Sequence, residues 1–299
     1  MPLPVPRTSL SVALIATALL SACNAATAPS DGRIEALQFS GPRSLPNPTG
    51  GNLLRGWVVE YNAADGGVEP GSSEIPRGAT GTISGGSQGP QAVSFTSQDL
   101  VVNVNRADGD VITSPQDYAR AYTAGIEQGF DVASVDFRGS GYVYVSRVVV
   151  GDFVNREGEG QSGLAILGTR TESANLPTRT ATFRGEVQGA LVQGNRATAG
   201  ISGQFSLTTD FVNSATIETN NTAITSSSGT SSAPALDFSG TGGVSSGRTF
   251  YAIGVNSAGL DASGSVRGSF YGPRAEETGG AFRLANDEFE YFGTLQGRR

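Results

Sequence analysis

The sequence predicts an all-β protein: a β-rich N-terminal domain followed by an eight-stranded antiparallel up-and-down β-barrel. Three observations carry that expectation. From residue 180 onward, apolar and polar residues alternate with period two, the mark of strands with one buried and one wet face. Turn-forming pairs recur at short spacing, among them Gln193-Gly194-Asn195, Asn213-Ser214, Asn220-Asn221 and Asn286-Asp287. Glycine supplies 42 of the 299 residues, about twice its usual share. Many fall on the apolar face, where a missing side chain permits the coiling that closure needs.

Residues 1–22 read as a lipoprotein signal peptide. Arg7 provides the positive start, and Leu10–Leu20 is an apolar run broken only by Ser11 and Thr17. That run is too short to span a bilayer, which takes about 20 apolar residues, and has the length of a secretory core. It ends in Leu20-Ser21-Ala22-Cys23, which looks like a bacterial lipobox, and Cys23 is the only cysteine of the chain. Cys23 is therefore the expected lipidation site, anchoring the mature chain to a membrane through its N-terminus. Several acyl chains hold where one does not. Asn24 after the cysteine fits sorting to the outer membrane, facing the cell surface or the periplasm. Residues 23–31 then read as a flexible tether.

Residues 32–163 form the expected first domain. Strands are predicted at Arg33–Phe39, Leu54–Tyr61, Thr80–Ser84, Ala92–Thr96, Leu100–Asn105, Phe130–Phe137 and Tyr142–Val150, with a further one at Leu164–Thr169 just past the boundary, separated by Gly/Pro/Asn/Asp/Ser clusters. One helix is predicted between Ser114 as N-cap and Gly129 as stop, with Pro115 at its first position. Tyr118, Tyr122 and Ile126 would then share a face. Trp57 reads as a core residue of this domain.

Residues 164–299 form the expected barrel domain. Its strands are predicted at Thr180–Gln188, Arg196–Thr209, Ala215–Thr219, Ala235–Ser239, Arg248–Val255, Ala262–Tyr271, Gly280–Ala285 and Glu288–Gln296. A barrel of that size is narrow enough to be filled by its own side chains. A transmembrane barrel would alternate in the same way with the apolar face outward; the ending Gln296-Gly297-Arg298-Arg299 lacks the terminal aromatic common in that class.

Composition removes much chemistry. There is no histidine and, since all 20 basic residues are arginine, no lysine. No Ser-His-Asp triad, Cys-His dyad, histidine-bound metal or lysine Schiff base can be built from the chain alone. A net charge of −7 without clustered cations argues against a nucleic-acid partner. The run Gly158–Gly163 matches G-x-G-x-x-G, but a strand follows it where a dinucleotide site needs a helix. Asn103, Asn105, Asp108 and Asp110 resemble a calcium loop in composition only, without the spacing or closing Glu. Glu276-Glu277 and Asp287-Glu288 read as solvated turn residues rather than a catalytic carboxylate pair. No catalytic residue, cofactor or metal site is expected.

The segment Gly268-Ser-Phe270-Tyr271-Gly272-Pro273-Arg-Ala275-Glu276-Glu277-Thr-Gly279-Gly280-Ala-Phe282 resembles the signature of the β-barrel domain of the transferrin-binding protein B family of surface lipoproteins. Leu176–Gly185 is similar to that family's barrel entry, and Phe205–Phe211 to its second strand. The resemblance implies a β-rich handle domain before the barrel and a non-enzymatic, ligand-binding role in the bacterial envelope; the chain departs from the two-lobed members in having a single handle-plus-barrel unit. The implied partners are an iron carrier, haem or similar cargo, and a TonB-dependent receptor. Without histidine, a directly bound haem would need a tyrosine ligand; Tyr142 and Tyr144, read as sharing one strand face, are the candidates, with plain packing as the alternative. The sequence singles out no other ligand-contacting residue. A surface structural or host-interaction lipoprotein without small-molecule cargo stays open beside this reading.

Overall fold

Strand parity decides the architecture. In the second half of the chain alternate residues, mostly apolar or glycine, point into a closed barrel; in the first half, three strands are buried on both faces. The computed structural model describes residues 52–64, 67–86, 89–113, 118–122, 132–138, 142–153, 160–193, 197–226, 229–245, 249–257 and 259–299. The signal peptide, Cys23, the tether and the strand expected at Arg33–Phe39 lie outside them.

The first sheet comprises β1 (Asn52–Ala64), β2 (Gly67–Val68), β3 (Arg77–Gly86), β4 (Gly89–Thr96), β5 (Val101–Asn105), β6 (Val111–Thr113), β7 (Tyr118–Tyr122), β8 (Val132–Arg138), β9 (Val145–Phe153) and β10 (Gly160–Gly168). Its order is β5-β4-β3-β1-β10-β9-β8-β7-β6, with β2 paired to β1. A 3-10 turn at Arg106–Asp108 links the two edge strands, so the sheet curls round its own core. That core holds Val58, Phe95, Leu100, Val102, Val148, Val150, Ala165 and Leu167.

The second sheet comprises β11 (Ala181–Gln193), β12 (Ala197–Thr209), β13 (Ser214–Ser226), β14 (Gly229–Ser232), β15 (Ser239–Val244), β16 (Phe250–Ser257), β17 (Ala262–Tyr271), β18 (Glu277–Ala285) and β19 (Phe289–Arg298). β11 pairs with both β12 and β19, β12 with β13, and β13 with β15, which closes eight antiparallel strands into a barrel. β14 is a short hairpin return on β13. Phe183, Phe205, Phe211, Phe270 and Phe282 fill the interior, each at most 2% exposed. The outward positions on the free side are polar, as at Ser202, Gln204, Thr208, Glu218 and Thr241. That is the opposite of a lipid-facing belt.

The expected barrel start at residue 164 falls inside β10, which runs between β1 and β9 in the first sheet; the barrel's first strand begins at Ala181. Two further expectations are corrected. Residues 118–122 of the predicted helix form β7, paired with β6 and β8. Tyr-Ala-Arg-Ala-Tyr satisfies period two as well as spacing four, and a waiting strand edge supplies backbone partners that a short isolated helix has to find within itself. The predicted strand Ala235–Ser239 is a 3-10 turn at Pro234–Leu236, with Pro at its start, and β15 begins only at Ser239. Proline has no N–H for the ladder and a fixed φ suited to that turn.

Candidate functional site

The outer wall of the barrel meets the outer face of the curled sheet along a seam. Strand parity places Trp57, Val59 and Tyr61 of β1, Val149 of β9 and Leu164 of β10 on one side, and Ala190, Val192, Ala281 and Phe292 of the barrel on the other. Trp57 is thus a core residue, but of the seam rather than of the first domain's interior. Its Nε1–H donates to Ser269 Oγ at 2.9 Å, its ring meets Phe250 edge-on, and the Arg170 and Arg267 guanidinium groups lie over it at 5.6 and 6.0 Å.

Around this apolar centre run polar clamps. The buried Arg147 of β9 donates from Nε to Thr294 Oγ1 at 2.8 Å and from Nη1 to Gln188 Oε1 at 2.8 Å and Glu186 Oε1 at 3.3 Å. Gln296 Nε2 donates to the Val145 carbonyl at 2.7 Å. On the far side, Arg283 donates to Ser73 Oγ and Glu290 Oε1, each at 2.9 Å, and Ser73 Oγ–H donates to Glu290 Oε2 at 2.8 Å.

The signature segment forms a further clamp. β17 ends at Tyr271; Gly272 turns at φ +89° and Ala275 at φ +58° before β18 begins. A side chain on Gly272 would also strike Glu276 Oε2 at 2.5 Å and Tyr144 Cδ2 at 2.7 Å. The turn delivers Glu277, 6% exposed, to the strand entering β9. Its carboxylate accepts from the backbone N–H groups of Val143, Tyr144 and Val145 at 2.7, 2.8 and 3.1 Å. Glu277 is therefore not the solvated turn residue that its neighbours suggest. Asp287 and Glu288 are exposed, and Glu276 accepts from the Arg274 N–H at 2.9 Å; these carboxylates are not gathered across one cleft with Glu277.

Tyr142 and Tyr144 precede β9 rather than sharing a strand face within it. The Tyr142 hydroxyl donates to the Gln296 carbonyl at 2.8 Å. Burial, with Glu186 next in weight, pushes its pKa up to about 12, which opposes the phenolate that a haem iron would take. Both rings pack against Val145, Ile166 and Tyr271. In the turn after β5, Asn105 Oδ1 accepts from the Ala107 N–H at 3.0 Å and Asp110 Oδ2 from the Asn105 N–H at 2.8 Å. Gly160–Gly163 of the glycine run lie within β10.

One carboxylate group was not legible as a site. Glu60 lies on the inner face of β1, 2% exposed, and neither of its oxygens has a hydrogen-bond partner. Burial raises its pKa above the ordinary 4.5; Ser97 lowers it, Asp99 and Glu74 add to the rise, and Arg77 opposes it. Carboxylate oxygens of Glu60, Glu74 and Asp99 all lie within 4.8 Å of one another. Arg77 binds Glu74 at 2.6 Å and Asp99 at 2.5 Å. Nothing at residue 60 signals this in the sequence, because its companions are 14 and 39 positions away.

No protein-family model matches the chain, and no curated protein matches it. Among solved structures, a tryptophan-to-alanine mutant of transferrin binding protein B from Haemophilus parasuis Hp5 is similar over 84% of this chain and 76% of its own, at 10% identity and TM-score 0.40. The isotype 1 transferrin binding protein B of serogroup B Neisseria meningitidis is similar over 84% and 77%, at 11% identity and TM-score 0.39. A protein described as a surface lipoprotein is similar over 81% and 98%, at 12% identity and TM-score 0.38.

Proposed function

We propose that the chain is a lipid-anchored, non-enzymatic binding protein of the bacterial outer envelope, tethered through Cys23, that captures a macromolecular iron carrier on its outer surfaces for hand-over to a TonB-dependent receptor. The observation that carries this reading is the filled barrel: Phe183, Phe205, Phe211, Phe270 and Phe282 occupy its interior, so a cargo is met from outside rather than enclosed. The lipobox Leu20-Ser21-Ala22-Cys23 and the segment Gly268–Phe282, whose turn and acidic residue hold the two sheets together, support it. A surface structural or host-interaction lipoprotein is the second reading, favoured by the same packing if no iron carrier binds.

The test uses full-length protein in detergent micelles. Iron-loaded carrier proteins are expected to bind saturably, while haem leaves the Soret band unshifted. A haem-induced shift, or indifference to every carrier, refutes the primary reading. In cells, Cys23→Ala is expected to move the protein out of the membrane fraction; a variant that still pellets with membranes is anchored elsewhere.

A further inference from the structure

We propose that Glu60, Glu74 and Asp99 form a divalent-cation site in the first domain, with calcium as the ion their chemistry fits. Three separate segments bring the carboxylates together. Glu60 comes from β1. Glu74 comes from the loop before β3, where its backbone N–H donates to the Glu60 carbonyl at 2.9 Å. Asp99 comes from the β4–β5 turn, closed by the Ser97 N–H on the Leu100 carbonyl at 3.0 Å. Oxygens within 4.8 Å of one another can all reach one ion at the roughly 2.3–2.6 Å typical of calcium.

The acidic cluster alone would mean little. The independent observation is Glu60 itself: 2% exposed, without a hydrogen bond on either oxygen, and aimed at the other two carboxylates. A buried carboxylate in that state needs a proton or a cation. Arg77 binds Glu74 and Asp99 but makes no ion pair with Glu60, so the group as a whole carries a net charge of minus two, which a divalent ion neutralises. Every candidate ligand is a hard oxygen, which selects calcium or magnesium over zinc or copper. The irregular approach of three segments suits calcium better than the near-octahedral, partly hydrated shell that magnesium demands. With three protein carboxylates and a competing guanidinium, the affinity expected is that of extracellular modules, a Kd of about 10⁻⁴ to 10⁻³ M.

The test takes full-length protein in detergent micelles, stripped with EDTA, and titrates calcium chloride and magnesium chloride by calorimetry and thermal melting. One calcium per chain and a rise in Tm beyond that given by sodium chloride of equal ionic strength are expected. Glu60→Gln keeps the shape and removes the charge; it is expected to weaken calcium at least tenfold while melting no lower than the wild type in EDTA. Asp99→Asn, at an exposed turn, is expected to weaken calcium with the fold intact, and Arg77→Gln to tighten it, so the test stands even if the Glu60 variant fails to fold. Absence of a saturable heat, or a calcium response unchanged in Glu60→Gln and Asp99→Asn, overturns the site. An equal response to magnesium overturns the choice of calcium.

Discussion

Asp210 shows what one carboxylate does for a turn. Its Oδ1 accepts from the N–H groups of Val212, Asn213 and Ser214 at 2.8, 2.8 and 2.9 Å, closing the β12–β13 connection while Phe211, at φ +59°, drops into the barrel. These backbone bonds, Ser214 first, lower its pKa to about 2. A depressed carboxylate contributes stability above its ordinary value, 3.8, and that contribution is lost as pH falls toward 2. Asp210→Ala is therefore expected to lower Tm at pH 7 and to shrink that deficit between pH 4 and 2, as read by melts across that range. Glu60 has the opposite sign. Its folded pKa is raised, so its contribution is fullest below 4.5 and falls as pH rises through the folded value. In EDTA, the Tm of Glu60→Gln relative to wild type is expected to climb from pH 4 to pH 7; a flat difference would contradict the buried, unpaired carboxylate. Gly272, at φ +89° with Tyr144 and Glu276 against it, is expected to tolerate no side chain. Gly272→Ala should cost about 1–3 kcal/mol by denaturant titration.

At the scale of the element, the barrel strands were legible and several connections were not. Period-two alternation marks β11, β12, β17 and β19 because their inner residues all enter one core, and a single slip would turn that core outward. Phe270 stands at the centre of an aromatic cluster with Phe183, Phe211 and Tyr251, ring centroids 4.9–5.8 Å away. Phe270→Ala is expected to destabilise by about 3–5 kcal/mol, measured by chemical denaturation; a loss under about 1 kcal/mol would mean the site collapses round the gap. β7 is ambiguous in the sequence because five residues fit two periodicities, and only its neighbours β6 and β8 decide between them. The turn at Pro234–Leu236 reads as a strand because Leu236 and Phe238 are apolar two apart; both are buried in the barrel core, which irregular backbone achieves equally well.

At the scale of the molecule, the two sheets share a seam in which several pairs are more than a hundred residues apart: Trp57 with Ser269, Arg147 with Thr294, Glu277 with Val143–Val145. Such contacts leave no local signature, which is why Glu277 reads as an ordinary turn acid and Trp57 as a one-domain core residue. The seam is expected to make the chain unfold in one calorimetric transition. Glu277→Ala strands three backbone N–H groups and should cost about 3 kcal/mol. Together with Arg147→Ala it is expected to split that transition in two; a double variant that still melts as a single unit would show that the apolar centre alone couples the sheets. The closure of β11 on β19 has one more result. A wall that returns on itself offers a neighbouring chain no loose selvedge to stitch onto, so any fibre seeded by concentrated samples warmed below the melting point should start from β5 or β6, the two ends of the first sheet, and leave the barrel amides protected from hydrogen exchange.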